Sequence, residues 1–387
     1  MARKRIYLDY AATTPVDKRV IKEMLPYFDE KFGNTMSLHN FGQKAKLALE
    51  KSREQIADLI NAKPNEIIFT SSATESNNLA LKGIAFYNKK KGNHIIISPI
   101  EHPCIIEACK WLEKNGFEIN RLSIDKNGMV DIKEIEKLIK KETILVSVMH
   151  ANNEIGTIQP VKEIGAVCKK KGVYFHTDAT QTFGKIPIDV NEMNIDLLSA
   201  SAHKLYGPKG VGCLFVREKT KIEPLLHGGG HESGLRSATV NVAGIVGFTK
   251  AVELCKKEMK KEARRLQRLR DKLIKGLLKS IKHSKLNGHS VKRLPNNANL
   301  SFFYVEGESL LIQLDLMGVA VSTGSACSSD KLEPSHVLTA IKLKPYQIHG
   351  SLRFTLGRWT KESDINYVLK ILPDIVKKLR EISPYKK

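Results

Sequence analysis

An α/β fold is predicted, with a mostly parallel sheet covered by helices in a large domain and a smaller α+β domain after it. Three observations in the 387-residue sequence predict it. Between Ile67 and Val216, short apolar runs recur one after another. Stretches with helical periodicity separate them, and strands that alternate with helices build parallel sheets buried on both faces. From about residue 241 the pattern changes to a long helix followed by sparser strands.

In chain order, the strands are read at "EIIFT", "HIIIS", "FEINRL", "TILVSVM", "VYFHT", "DLLSAS" and "VGCLFV". The helices between them run from about Thr74 to Tyr87, Ile105 to Asn115, Asp131 to Ile139 and Val161 to Lys171. A long helix from about Asn241 to Ser280 precedes the strands "ANLSFFYV", "GVAVS" and "SLRFTL", and a final helix covers about Lys361 to Glu381. The expected division is a large domain over 14–258 and a small one made of 1–13 and 259–387. No internal repeat or long low-complexity linker interrupts the chain. In parallel sheets ligands gather at the carboxyl ends of the strands, so the site is expected there.

With 42% hydrophobic residues, a chain of this length can bury a large core. The segment "MARKRIYLDYAATTP" turns polar before any apolar stretch of signal-peptide length, and no run approaches the roughly 18 apolar residues of a membrane span. A soluble, cytoplasmic protein is therefore expected. The cysteines Cys104, Cys109, Cys168, Cys213, Cys255 and Cys327 form no C-x-x-C pair, which argues against structural zinc and for a reducing compartment. No metal site is expected. The net charge of +22 admits nucleic acid as a partner. Much of the charge lies between Lys256 and Arg293, where 15 Lys/Arg face 3 acidic residues. Met259, Ala263, Leu266, Leu273 and Leu277 recur there at helical spacing, so an amphipathic helix with a solvated basic face explains it first.

Three local patterns carry chemistry. Lys204 stands between two apolar strands among small residues, in "DLLSASAHKLYGPKGVGCLFV", where desolvation makes an amine a usable nucleophile; a buried, paired lysine is the plainer reading. Asp178 in "VYFHTDATQ" stands just past a strand, facing a ligand or simply capping a turn. In "TSSATESNN", Ser72 and Glu75 have capping-box spacing, and the amides of the helix starting near Thr74 attract phosphate. Together a phosphate-ready helix start, a strand-end acid and a buried lysine are the parts that hold pyridoxal phosphate. Cys327, in "AVSTGSACSSD", is set among small and hydroxylated neighbours too polar for a core thiol.

On these motifs the chain resembles the cysteine desulfurases, class V members of the fold type I pyridoxal-phosphate enzymes. The resemblance rests on "YLDYAATTP" at 7–15, "TSSATESNNLA" at 70–80, "EHPC" at 101–104, "HANNEIGTIQP" at 150–160 and "FHTDATQ" at 175–181. It continues through "SAHKLYGPKGVG" at 201–212, "GGGHESGLRSATVN" at 228–241, "STGSACSS" at 322–329, "PSHVL" and "SLRFTLGR". The resemblance implies that Lys204 bonds the pyridoxal 5'-phosphate aldehyde, that Asp178 binds its pyridine nitrogen, and that His102 stacks on the ring and helps to transfer protons. It further implies that Asn153 and Gln181 bond around the phenolic oxygen. Ala73, Thr74, Ser201 and His203 would hold the phosphate, and Thr239 would reach the phosphate of a second subunit in a homodimer. Arg353, with Asn153, would bind the substrate carboxylate. Cys327, in a mobile loop at about 320–335, would take sulfur from L-cysteine as a persulfide, leaving L-alanine.

The sulfur would pass to an acceptor protein such as an iron–sulfur scaffold, or to a tRNA-thiolation enzyme. Two positions depart from the form common in the family: Ser233 where arginine is frequent and Ala238 where glycine is frequent. The alternatives are a selenocysteine lyase, another lyase or aminotransferase on the same fold, and a non-enzymatic nucleic-acid binder.

Overall fold

A computed structural model describes residues 5–323 and 334–383 of the chain. Cys327 lies outside the described residues, as does most of the segment expected to carry it. The strands are β1 (Ile6–Tyr7), β2 (Ile67–Thr70), β3 (His94–Ile97), β4 (Glu118–Arg121), β5 (Thr143–Ser147), β6 (Tyr174–Asp178), β7 (Leu197–Ser201) and β8 (Gly212–Val216), followed by β9 (Ser284–Asn287), β10 (Asn297–Phe302), β11 (Val319–Ala320) and β12 (Ser351–Thr355).

Strands β2 to β8 form one seven-stranded sheet in the order β2-β8-β7-β6-β5-β3-β4. Pairings from β7 through β4 are parallel, and the two that involve β8 are antiparallel. Two reversals restore direction, so β2 runs with β7 and β8 alone points the other way. The carboxyl ends of β2, β3, β5, β6 and β7 therefore share one edge.

Period-two alternation sends successive side chains to opposite faces and divides the apolar residues of each strand between two cores. Ile67, Phe69, Ile96, Val146, Phe175, Leu198 and Phe215 enter one, whereas Ile68, Ile95, Ile97, Leu145, Leu197 and Leu214 enter the other. Helices Ala73–Tyr87 and Pro103–Lys114 supply Leu79, Ile84, Ile105 and Leu112 to the second core, and Val161–Lys171 supplies Ile164 and Cys168 to the first. All seven strands expected over this stretch are present: those inside the sheet carry branched apolar residues buried on both faces, whereas the edge strand β4, "EINR", is half-buried to exposed.

The helix Val242–Ser280 crosses from the first core, which it joins through Phe248 and Val252, to a third around Leu266, Leu273 and Leu277. That third core lies on the small antiparallel sheet β12-β10-β9 and is closed by Glu362–Ile382. Leu8 returns the amino-terminal segment to it, and β1 pairs with β11. Strand β9, "SKLN", and helix Asn40–Leu59 were not expected from the sequence. No helix among the described residues is long and apolar enough to cross a membrane.

Candidate active site

At the shared strand edge, a cavity of about 280 Å³ is lined by Ala73, Thr74, His102, Asn153, Asp178, Gln181, Ser201, His203, Lys204 and Arg353. Ten residues singled out in the sequence thus meet in one place, although they are drawn from six separate motifs. Thr239 is exposed and does not line this cavity.

Asp178 is the last residue of β6 and only 5% exposed. Its Oδ1 accepts from Thr180 N at 2.9 Å and its Oδ2 from Asn77 Nδ2 at 2.8 Å. Both of these partners are neutral. Asn77, fully buried one turn into the helix Ala73–Tyr87, had no signal of its own in the sequence; only the packing of that helix over β6 brings it to Asp178.

The helix start is held on both sides. Ser72 Oγ accepts from Glu75 N at 3.1 Å, as capping-box spacing predicts, but the reciprocal bond reaches one residue further, from Ser71 N to Glu75 Oε2 at 2.8 Å. Arg236 Nε donates to Glu75 Oε1 at 2.7 Å and locks that carboxylate. The first intrahelical bond is Ser76 N to Ser72 O, so the amides of Ala73 and Thr74 precede it and remain for an anion. Gly212 lets β8 pass beneath this turn: a Cβ there would stand 2.8 Å from the Ser72 carbonyl carbon.

Ser201, His203 and Lys204 come from the short turn after β7. Lys204 Nζ donates to the carbonyls of Ala11 and Ala12, each at 2.6 Å, so the amino-terminal "AATT" segment aims it. His203 Nδ1 stands 3.1 Å from Thr13 Oγ1. Burial, reinforced by Lys204, Lys209 and Lys185, holds its pKa down to about 4, which leaves the ring neutral at pH 7.

His102 caps the helix Pro103–Lys114, its Nδ1 accepting from Cys104 N at 3.2 Å and lying 3.0 Å from Cys104 Sγ. Burial lowers its pKa and raises that of Cys104 to about 12, so the pair is a neutral imidazole beside a protonated thiol. With Nδ1 accepting, the ring proton belongs on Nε2. Arg353, in the middle of β12, is held by Asp9 Oδ1 at 2.9 Å and the Asn153 carbonyl at 3.2 Å, while its Nε is buried without a partner among the described residues.

The lining fits pyridoxal phosphate. A buried carboxylate with neutral partners suits a cationic ring nitrogen, and free helix amides beside Ser201 and His203 suit a phosphate. Thr180 Oγ1 and Asn77 Oδ1 are also buried there without partners among the described residues, as expected of groups that face a polar ligand.

Comparison with known proteins agrees with this geometry. The aminotransferase class-V family matches residues 6–368. A cysteine desulfurase, IscS, of Dictyoglomus turgidum is 56% identical over 384 residues, covering 99% of this chain and 98% of that relative. Among solved structures, a NifS-like protein superposes with a TM-score of 0.91 at 40% identity, over 97% of this chain and all of that one. A second, described as SspA in complex with cysteine, has a TM-score of 0.82 at 38% identity, over 91% of this chain and 99% of its own. With a match spanning nearly the whole chain and the expected residues gathered in one cavity, the chain belongs to the aminotransferase class-V family and, within it, to the cysteine desulfurases.

Proposed function

We propose that the protein converts L-cysteine to L-alanine and carries the released sulfur as a persulfide on Cys327. The observation that supports this most is the meeting of Lys204, Asp178 and the helix start at Ala73 and Thr74 in one cavity with Arg353. Pyridoxal phosphate, when bound, supplies an electron sink for the substrate's carbon skeleton.

Lys204 would be the amine that bonds the cofactor, and Asp178 would keep its ring nitrogen protonated. Ala73, Thr74, Ser201 and His203 would hold the phosphate, Asn153 and Gln181 the phenolic oxygen. His102 would stack on the ring and offer its Nε2 proton. Arg353 takes the substrate carboxylate on a planar guanidinium that Asp9 already orients. The Cys327 thiolate attacks the substrate sulfur; an S–S bond forms as the C–S bond breaks. The neighbour solved with cysteine supports the choice of substrate.

Leu25, Phe28, Phe32, Met36, Leu38 and Phe41 form an exposed apolar run in the single chain, which supports a homodimer; in it Thr239 would reach the partner's phosphate. The separate cores on either side of the helix Val242–Ser280 support two domains that divide near residue 258. An iron–sulfur scaffold or a tRNA-thiolation enzyme in the cytoplasm is the acceptor this chemistry serves.

The test is direct. Purified protein should be yellow, borohydride should fix the cofactor to Lys204, and cysteine should yield alanine with persulfide on Cys327. Cys327→Ser should keep the colour and lose the persulfide. Sulfide release at the normal rate from that variant would refute the role of the thiol.

A further inference from the structure

Lys185 stands behind the cavity wall. It follows Gly184, whose positive φ of 71° turns the chain where a Cβ would come within 3.2 Å of Cys255. Lys185 Nζ lies 3.4 Å from Gln181 Oε1, and Gln181 Nε2 donates to the Ala11 carbonyl at 3.0 Å. The same carbonyl accepts from Lys204 Nζ at 2.6 Å. One chain of contacts therefore runs from Lys185 through Gln181 and Ala11 to Lys204.

The donors and acceptors along it fix an orientation. An ammonium can only donate and a carbonyl can only accept, so an amide between them must turn its oxygen to the lysine and its nitrogen to the carbonyl. The amide nitrogen carries two protons. Ala11 takes one, and the other is left for the cavity that Gln181 lines. Both contacts select the same orientation; without Lys185 only the Ala11 carbonyl, which Lys204 shares, would hold the amide against a flip that shows the cavity an acceptor.

We propose that Lys185 is a positioning residue that orients the Gln181 amide, so that the phenolic oxygen of bound pyridoxal phosphate meets an N–H donor. The inference rests on the cofactor reading given above. Lys204, His203 and Cys255 face Lys185, and Glu258, Glu262 and Arg358 line a second cavity, separate from the active-site one, that Lys185 also borders. Glu258 is paired with Arg358 at 2.9 Å and Glu262 with Arg265 at 2.7 Å, so neither carboxylate is committed to Lys185. Burial and, after it, Lys204 push the Lys185 ammonium down to about 7. Orientation by a pure donor is strongest below that pH, since a neutral amine can also accept.

The experiment is a pH titration of the cofactor's absorbance in the holoprotein and its variants. Removing a donor from the phenolic oxygen makes that oxygen more basic, so Lys185→Met should raise the midpoint by about one unit, the size of one hydrogen bond to a charged group. Lys185→Arg, which still only donates, should restore it. In a Gln181→Met background, Lys185→Met should add nothing. An unmoved midpoint in Lys185→Met, or an equal shift in the Gln181→Met background, would overturn the proposal. A crystal structure of the unmodified holoprotein needs no variant to fold: Gln181 Oε1 facing Lys185 is expected, and Lys185 turned away from Gln181 refutes it. A protein that takes up no pyridoxal phosphate would overturn the cofactor reading and this proposal together, whereas normal uptake with an unmoved midpoint overturns this proposal alone.

Discussion

Replacing Asn77 by leucine should loosen the cofactor without unfolding the protein. Asn77 is fully buried; its Nδ2 donates to Asp178 Oδ2 at 2.8 Å and to Cys104 Sγ at 3.2 Å, while its Oδ1 has no partner among the described residues. Leucine keeps the branched outline but its methyl groups are bulkier, so no cavity forms and overpacking costs about 1–3 kcal/mol. In the cofactor-free chain, the lost hydrogen bond to a carboxylate, about 1.5–3 kcal/mol, is set against relief of an unsatisfied buried carbonyl, about 1–3 kcal/mol. The two nearly cancel. In the complex, the Asp178 carboxylate must face the ring nitrogen without its side-chain anchor, and losing about 1.5–3 kcal/mol there weakens binding roughly 10- to 150-fold. Absorbance titration of the cofactor-free protein with pyridoxal phosphate measures the affinity, and thermal unfolding of the same sample measures the stability. A dissociation constant within about twofold of the unmodified protein's would refute the anchoring role, given that affinity factors track these energies. So would a collapse in stability large enough to explain the loss by itself.

Two further predictions follow from buried charge. Glu101 is fully buried, with Oε1 accepting from Ser98 Oγ and Met149 N at 2.7 Å each, and burial, with a smaller push from Asp178, raises its pKa from 4.5 to about 8. Its contribution to stability is complete below about 4.5 and is lost as the pH rises through about 8, at up to about 1.4 kcal/mol per unit between them. Glu101→Gln should flatten that decline in unfolding curves measured across the window, and an unchanged slope would contradict it. Glu232 accepts from both terminal nitrogens of Arg53, at 2.8 and 2.9 Å, and from Phe69 N at 2.7 Å, while its own backbone is held at a φ of 50°. Glu232→Ala leaves the buried guanidinium only the more exposed Glu50, at 3.2 Å, and the Ile67 carbonyl, and should cost about 3 kcal/mol in denaturant unfolding. A loss below about 1 kcal/mol, the worth of an exposed pair, would show that water replaces the carboxylate.

The succession of apolar runs, the helices between them and the candidates Lys204, Asp178 and the helix start near Thr74 were legible in local patterns; the other cavity residues were expected only from the resemblance to a known family. Branched apolar tetrads such as Ile67–Thr70 and His94–Ile97 can only be buried strands at this spacing, and the motifs around Lys204 and Asp178 carry their chemistry in a few adjacent residues. What the sequence hid is non-local or too polar to stand out. Strand β9 reads "SKLN" and is a strand only because β10 offers its edge. Asn77 reaches Asp178 across 101 residues, Arg53 reaches Glu232 across 179, and Asp9 reaches Arg353 across 344. Hydrophobic periodicity says which face of an element is buried but not which neighbour covers it. Which amide orients which carboxylate was decided when the elements packed, since a polar side chain leaves water only where its hydrogen bonds are met.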